Sequence, residues 1–172
     1  QIRTDPDLRE AHRLFPFVII WDDHEFANDC WQDHAVDFNE ERGDELQPRR
    51  REAATRAWHE HLPVDVHYDS NQSFPNDIRV YRSLRWGRHL ELFLLDPRYY
   101  RDDHLIPEGP LDADVGKLIL NSPLGSRIFV LKDPFDAREA AAEPTLLGSD
   151  QREWLIAAVR ASRATHKGIV SP

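Results

Sequence analysis

Apolar residues recur along this chain with two different periods, and each period predicts a different element. In DPDLREAHRL (5–14), Leu8, Ala11 and Leu14 share one helical face, Asp5 is placed to cap the helix and Pro6 suits its first turn. Pro16 ends that pattern, and FVII (17–20) follows, apolar without alternation, which predicts a short and fully buried strand. Residues 32–48 are polar and carry Gly43 and Pro48, the signature of an exposed loop. Helical spacing returns over 49–61, with Ala53, Ala54, Ala57 and Trp58 as an apolar stripe and Pro63 beyond its end. Residues 65–77 read as a second loop. IRVYRSLRW (78–86) then alternates as a strand, Gly87 marks a turn, and HLELFLLD (89–96) completes a hairpin.

From 102 to 147 five prolines and three glycines interrupt the pattern, and only SRIFVLKD (126–133) reads as a strand. A final helix follows, with Ser149 as cap, Asp150 and Glu153 in its first turn, and Trp154, Leu155, Ala158 and Val159 on its buried face. KGIVS (167–171) predicts a last strand. Helices and strands alternate without internal repeats, so the predicted class is α/β or a layered α+β relative.

Composition narrows the function. The 172 residues are enough for one domain with a sizeable core. A net charge of −9 argues against nucleic-acid binding, which needs a basic surface. The single cysteine, Cys30, rules out an internal disulfide and a zinc site built from cysteines. No apolar run approaches the roughly 20 residues of a membrane span. The chain opens on Gln1 and contains no methionine, so it reads as a piece of a longer protein, or as a processed one.

The candidate chemistry lies where the first predicted strand ends. FVII runs through Trp21 into Asp22, Asp23, His24 and Glu25, with Asn28 and Asp29 just beyond. Charged groups at the carboxyl end of a buried strand are where open α/β sheets gather ligands. Carboxylates and amide oxygens are hard ligands for calcium, magnesium, manganese or iron, and an imidazole beside them can ligate or donate. Adjacent strand residues point to opposite faces, so Asp22 and Asp23 can share an ion only if the chain turns; Asn28 and Asp29 are turn formers. A zincin helix is excluded, because its second His would fall at position 28, which is Asn. For any one of these residues a solvated loop is the simpler reading; for the group, a cation site is.

FPFVIIWDDHEFAND resembles the W-D-D-H-E block of the PhoD-like alkaline phosphatases, a branch of the calcineurin-like metallophosphatases. Three further blocks occur in that family's order. RREAATRAWHEHLPV (50–64) is similar to its R-x-A-x-x-A-Y-x-E-x-M-P helix, with Trp58 and Leu62 in place of Tyr and Met. IRVYRSLRWGRHLELFLLDPRYYRDD (78–103) resembles its hairpin ending in L-D-T-R-x-Y-R, with Pro97 in place of Thr. LLGSDQREWLIAAVRASRATHKGI (146–169) matches its L-G-x-x-Q-x-x-W-L helix and the strand entry after it, with His166 in place of Trp.

The resemblance implies an incomplete part of a layered αββα metallophosphatase sandwich, with residues 1–172 the central portion of one phosphatase domain whose N- and C-terminal parts lie outside. It implies a phosphoric ester hydrolase that uses calcium and iron and acts on phosphate esters, with the remainder of the parent domain as its structural partner. Family members are commonly exported. Residue by residue, it implies Asp23 and Asn28 on metal, with Asp22 beside them, and His24 on the phosphoryl group. One of Arg50 and Arg51 would contact phosphate, and spacing leaves both open. Asp96 is open to a ligand role or to pairing with an arginine, of which the structural ion pair is the simpler expectation, and Gln151 is expected to make a buried hydrogen bond in the scaffold. The family's remaining metal ligands would come from outside these residues, so the isolated chain is expected to be inactive. Two rivals share the same residues: a phospholipase D-type phosphodiesterase, and a non-catalytic module that binds calcium structurally.

Overall fold

The computed structural model describes residues 4–39, 43–103, 117–122, 125–130 and 132–172. Helix α1 (Pro6–Leu14) begins as its sequence predicts, with Asp5 accepting a hydrogen bond from the Leu8 N–H at 2.9 Å. The expected buried strand at 17–20 does not form. The segment has no regular structure and pairs with no strand among the described residues, and Phe17 and Val18 are about half exposed. An apolar run becomes a strand only if another strand edge meets it. Here a side chain meets it instead: Arg82 donates to the Ile19 carbonyl at 2.8 Å.

The expected loop at 32–48 is instead a hairpin of β1 (His34–Asn39) and β2 (Gly43–Leu46), antiparallel with a register shift between Ala35 and Asn39. Its sequence signal was diluted: Val36 and Phe38 alternate with Asp37 and Asn39 inside an otherwise polar run. Helix α2 (Pro48–His61) follows at the predicted place with a different buried face. Arg51, Thr55 and Trp58 are buried, whereas Ala53 and Ala57 are exposed. The polar Arg51 and Thr55 can go inward because ion pairs and a hydrogen bond receive them there.

The hairpin of β3 (Arg82–Trp86) and β4 (Leu90–Leu94) pairs antiparallel around a turn with Gly87 at φ 61°. A second antiparallel hairpin joins β5 (Lys117–Ser122) and β6 (Gly125–Val130). The predicted strand 126–133 therefore stops early, and Lys132 and Asp133 open helix α3 (Lys132–Ala141). Helix α4 (Gly148–Ala161) lacks the expected Ser149 cap. Ser149 lies inside it and donates to Asp150, while Thr145 accepts from the Leu147 N–H just before it. Strand β7 (His166–Val170) then pairs parallel with β4, giving a three-stranded mixed sheet in the order β3-β4-β7. This is an incomplete α/β arrangement.

The core lies beside that sheet. Trp21, Phe26, Ala27, Cys30, Ala35, Trp58, Ile78, Val80 and Tyr99 form one buried cluster. Trp21 packs on Tyr99 at 4.1 Å and on Trp58 at 5.0 Å between ring centres. Four members of the cluster come from WDDHEFANDC (21–30), so the segment that carries the candidate chemistry is also a main contributor to the core.

Candidate metal and phosphate site

Hydrophobic spacing shapes the site. Within 21–30 the buried apolar side chains are Trp21, Phe26, Ala27 and Cys30; of the polar ones between them Asp23 is buried as well, and Asp22, His24, Glu25, Asn28 and Asp29 are partly or fully exposed. This is not strand spacing. The backbone turns immediately after Asp22, with the Phe26 and Ala27 N–H groups donating to the Asp23 carbonyl at 3.0 and 2.9 Å. Asp29 adopts φ 54°, a left-handed conformation that Asp tolerates better than most residues. The turn removes the obstacle of adjacent strand residues pointing apart. Asp22, Asp23 and His24 each offer one ligand atom, and these atoms lie within 4.8 Å of one another.

Asp23 is the centre of this group. Its carboxylate is buried. One oxygen accepts the Asp29 N–H at 2.6 Å, and the other lies 2.8 Å from His24 Nδ1. Burial pushes its pKa upward, but the Asp29 N–H and the nearby Arg98 charge outweigh it and hold the group below the ordinary carboxylate range. His24 is largely exposed. With Nδ1 turned to the carboxylate, its Nε2 is the nitrogen left to face a ligand. The Asp22 N–H donates to Glu25 at 2.9 Å, which closes the turn on its outer side. Asn28 is exposed, in the turn one residue before the left-handed Asp29.

Two arginines that follow the β3–β4 hairpin brace the turn. Arg98 Nε donates to Asp22 at 2.8 Å, and its Nη1 lies 3.6 Å from Asp29 and 3.9 Å from Asp23. Arg101 is buried and binds the Cys30 carbonyl at 3.0 Å together with both the carbonyl and the carboxylate of Asp29. Sequence reasoning missed both roles. The signal available was the R-x-x-R spacing of DPRYYR just beyond a strand, yet nothing local says which acids such a pair meets.

The two candidate arginines of α2, Arg50 and Arg51, lie in different surroundings. Arg51 is fully buried, ion-paired with Asp33 and with Asp77 at 2.9 Å, and its guanidinium lies 5.0 Å from the Phe74 ring centre. Its charge is committed inside the protein. Arg50 is exposed and lies over Phe26 at 5.7 Å, on the outer side of the helix near the turn.

Asp96 departs from the expected ion pair. It is completely buried and accepts the Arg98 and Tyr99 N–H groups at 3.1 and 3.0 Å, as the cap of a tight turn. The arginine that follows it pairs with Asp22 instead. Pro97 sits at the second position of that turn, where its fixed φ is favourable. Gln151 carries the expected scaffold bond twice over, accepting from the Asp96 N–H and donating to the Asp96 carbonyl, both at 2.8 Å. It thereby docks α4 against the end of β4.

The donor set of the turn fits a hard cation in part. Two carboxylates and an imidazole are suitable ligands, but all three come from one turn and amount to fewer than a calcium ion takes. A family model described as PhoD-like phosphatase matches residues 1–172. The alkaline phosphatase D of Bacillus subtilis (strain 168) is 32% identical over 159 residues, which is 90% of this chain and 22% of that protein. A solved structure described as that of PhoD superposes with a TM-score of 0.62 at 27% identity, over 97% of this chain and 27% of the other. The chain thus spans about a quarter or less of the length of the relatives it matches.

Proposed function

This chain belongs to the PhoD-like phosphatase family, and from that premise we propose that it is the central portion of a phosphatase domain and carries one rim of a metal-dependent active site. The protein containing it hydrolyses phosphate esters. The observation that carries this reading is the short contact between His24 Nδ1 and the buried Asp23 carboxylate, on a turn held by two arginines.

On this reading Asp23 is a metal ligand, with Asp22 beside it and Asn28 as a further oxygen donor from the rim. Calcium with iron, the pairing the family resemblance implies, would withdraw charge from the phosphoryl group and supply a nucleophilic oxygen. The residues of this chain do the rest. Asp23 fixes the tautomer and direction of His24, so that Nε2 meets a phosphoryl or leaving-group oxygen. Arg50 is the better placed of the two candidate arginines to bind a phosphate oxygen, because its residue is exposed whereas the guanidinium of Arg51 is buried against two carboxylates. The remaining ligands come from elsewhere in the protein, since three donors on one turn cannot hold a metal pair.

The test is hydrolysis of p-nitrophenyl phosphate by the full-length protein with both metals supplied. His24→Ala is expected to lower kcat/KM by about 100-fold or more, the scale of a lost acid or charge-stabilising group. Arg50→Ala should lower it further than Arg51→Lys does in any variant that stays folded. The 172-residue chain alone should show no turnover. Unchanged turnover in His24→Ala would remove the basis for this site.

A further inference from the structure

Three carboxylates crowd one turn, and a single guanidinium reaches all of them. Arg98 touches Asp22 at 2.8 Å and stands 3.6 and 3.9 Å from Asp29 and Asp23. Its side chain is only 26% exposed, so it is held largely within the protein. Nor is it placed by chance. The N–H of Arg98 itself is bound by Asp96, Asp96 is clasped by Gln151, and Gln151 belongs to α4. The scaffold that joins β4 to α4 therefore delivers this charge to the turn.

We propose that Arg98 is a positioning residue that acts as a built-in counter-cation: it keeps the Asp22–Asp23–Asp29 turn assembled before metal binds and thereby lowers the affinity of that turn for a divalent ion. Without a nearby positive charge, Asp23 would be a buried carboxylate beside two other acids, an arrangement that repels itself. Arg98 relieves that repulsion. The same charge then opposes any cation that shares those oxygens. A brace that acted only through structure would do the reverse, because its loss would loosen the ligands and weaken binding.

The inference rests on the reading of Asp23 as a metal ligand, and one experiment separates the two. Calcium binding to the metal-stripped full-length protein is measured by calorimetry, and the component that Asp23→Asn abolishes defines the site. Arg98→Gln removes the charge and is expected to tighten that component about tenfold, the scale of one unit charge acting on a divalent ion a few ångströms away at a water-like dielectric. Arg98→Lys keeps a charge but lacks the fork that spans three acids, so it should tighten binding by about two- to threefold. In the metal-free state both variants should melt at lower temperature than the parent. This opposition, weaker fold and tighter calcium, is the signature. Should Arg98→Gln fail to fold, Arg98→Lys decides by the same sign. Equal or weaker calcium binding in the variants would overturn the inference and leave the metal reading intact. Absence of any Asp23-dependent binding in parent and variants would overturn both.

Discussion

Asp96 is a carboxyl group with no water around it, and its titration follows from that. Burial is the largest influence and raises its pKa to about 6, against the pull of the Tyr99 and Arg98 N–H groups and the Trp21 indole. Its second oxygen has no well-formed hydrogen bond among the described residues. A raised folded-state pKa means that the folded protein holds a proton between about pH 4 and 6 that the unfolded chain has released. This group's contribution to stability therefore falls as pH rises through that window, by about 3 kcal/mol, and is flat above it. Asp23 runs the other way: its depressed pKa contributes stability above about pH 4 that is lost as pH falls through its folded value. A carboxyl-carbon NMR titration should place the Asp96 midpoint near 6 and that of Asp23 below the usual aspartate range. In Asp96→Asn the fall in stability between pH 4 and 6 should disappear.

At the scale of elements, the pair of α2 with the β1–β2 hairpin depends on one buried ion cluster. Arg51 on α2 joins Asp33, just before β1, to Asp77, in the irregular segment before β3, with Thr55 as a further acceptor at 3.3 Å. Arg51 is 1% exposed and Asp77 2%. Buried pairs of this kind add little net stability over an apolar substitute, yet removing one partner strands the other charge. Arg51→Met should cost about 3–5 kcal/mol in urea denaturation. Adding Asp77→Asn to Arg51→Met should recover part of that loss, because it removes the stranded charge. A loss below about 1 kcal/mol in the single variant would mean that the cluster is not closed as described. The same cluster explains why an alanine stripe was a poor guide to the buried face of α2.

At the scale of the molecule, two of the places where the described residues leave apolar surface uncovered bear on association. Phe15, Phe17 and Val18 are exposed along the irregular segment after α1, and Trp86 and Ile169 are 71% and 61% exposed on the β3-β4-β7 sheet. Strand β7 also ends that sheet with an open edge among the described residues. Apolar residues beside open strand edges favour association. The 172-residue chain by itself should therefore self-associate, with a sedimentation mass that rises over micromolar concentrations. Phe17→Lys with Val18→Lys should shift that rise to higher concentration. A constant monomer mass would show that these surfaces are covered within the chain.

Local pattern was sufficient wherever an element's partners lie close in sequence or its signal is strong: α1 with its Asp5 cap, the β3–β4 hairpin about Gly87, the places of α2 and α4, and the last strand. It also singled out WDDHEFAND, because charge directly after an apolar run is visible in one dimension. What it left open was every matter of who meets whom. Whether FVII becomes a strand depends on an edge supplied by other residues. That Arg51 and not Arg50 is drawn inside depends on Asp33 and Asp77, 18 and 26 residues from Arg51. That Arg98 serves the acids of the first turn depends on a contact 76 residues long in sequence. Periodicity reports which side of an element is apolar. Only folding decides which distant charge a buried one must answer to, because that energy depends on distances in space and not on spacing along the chain.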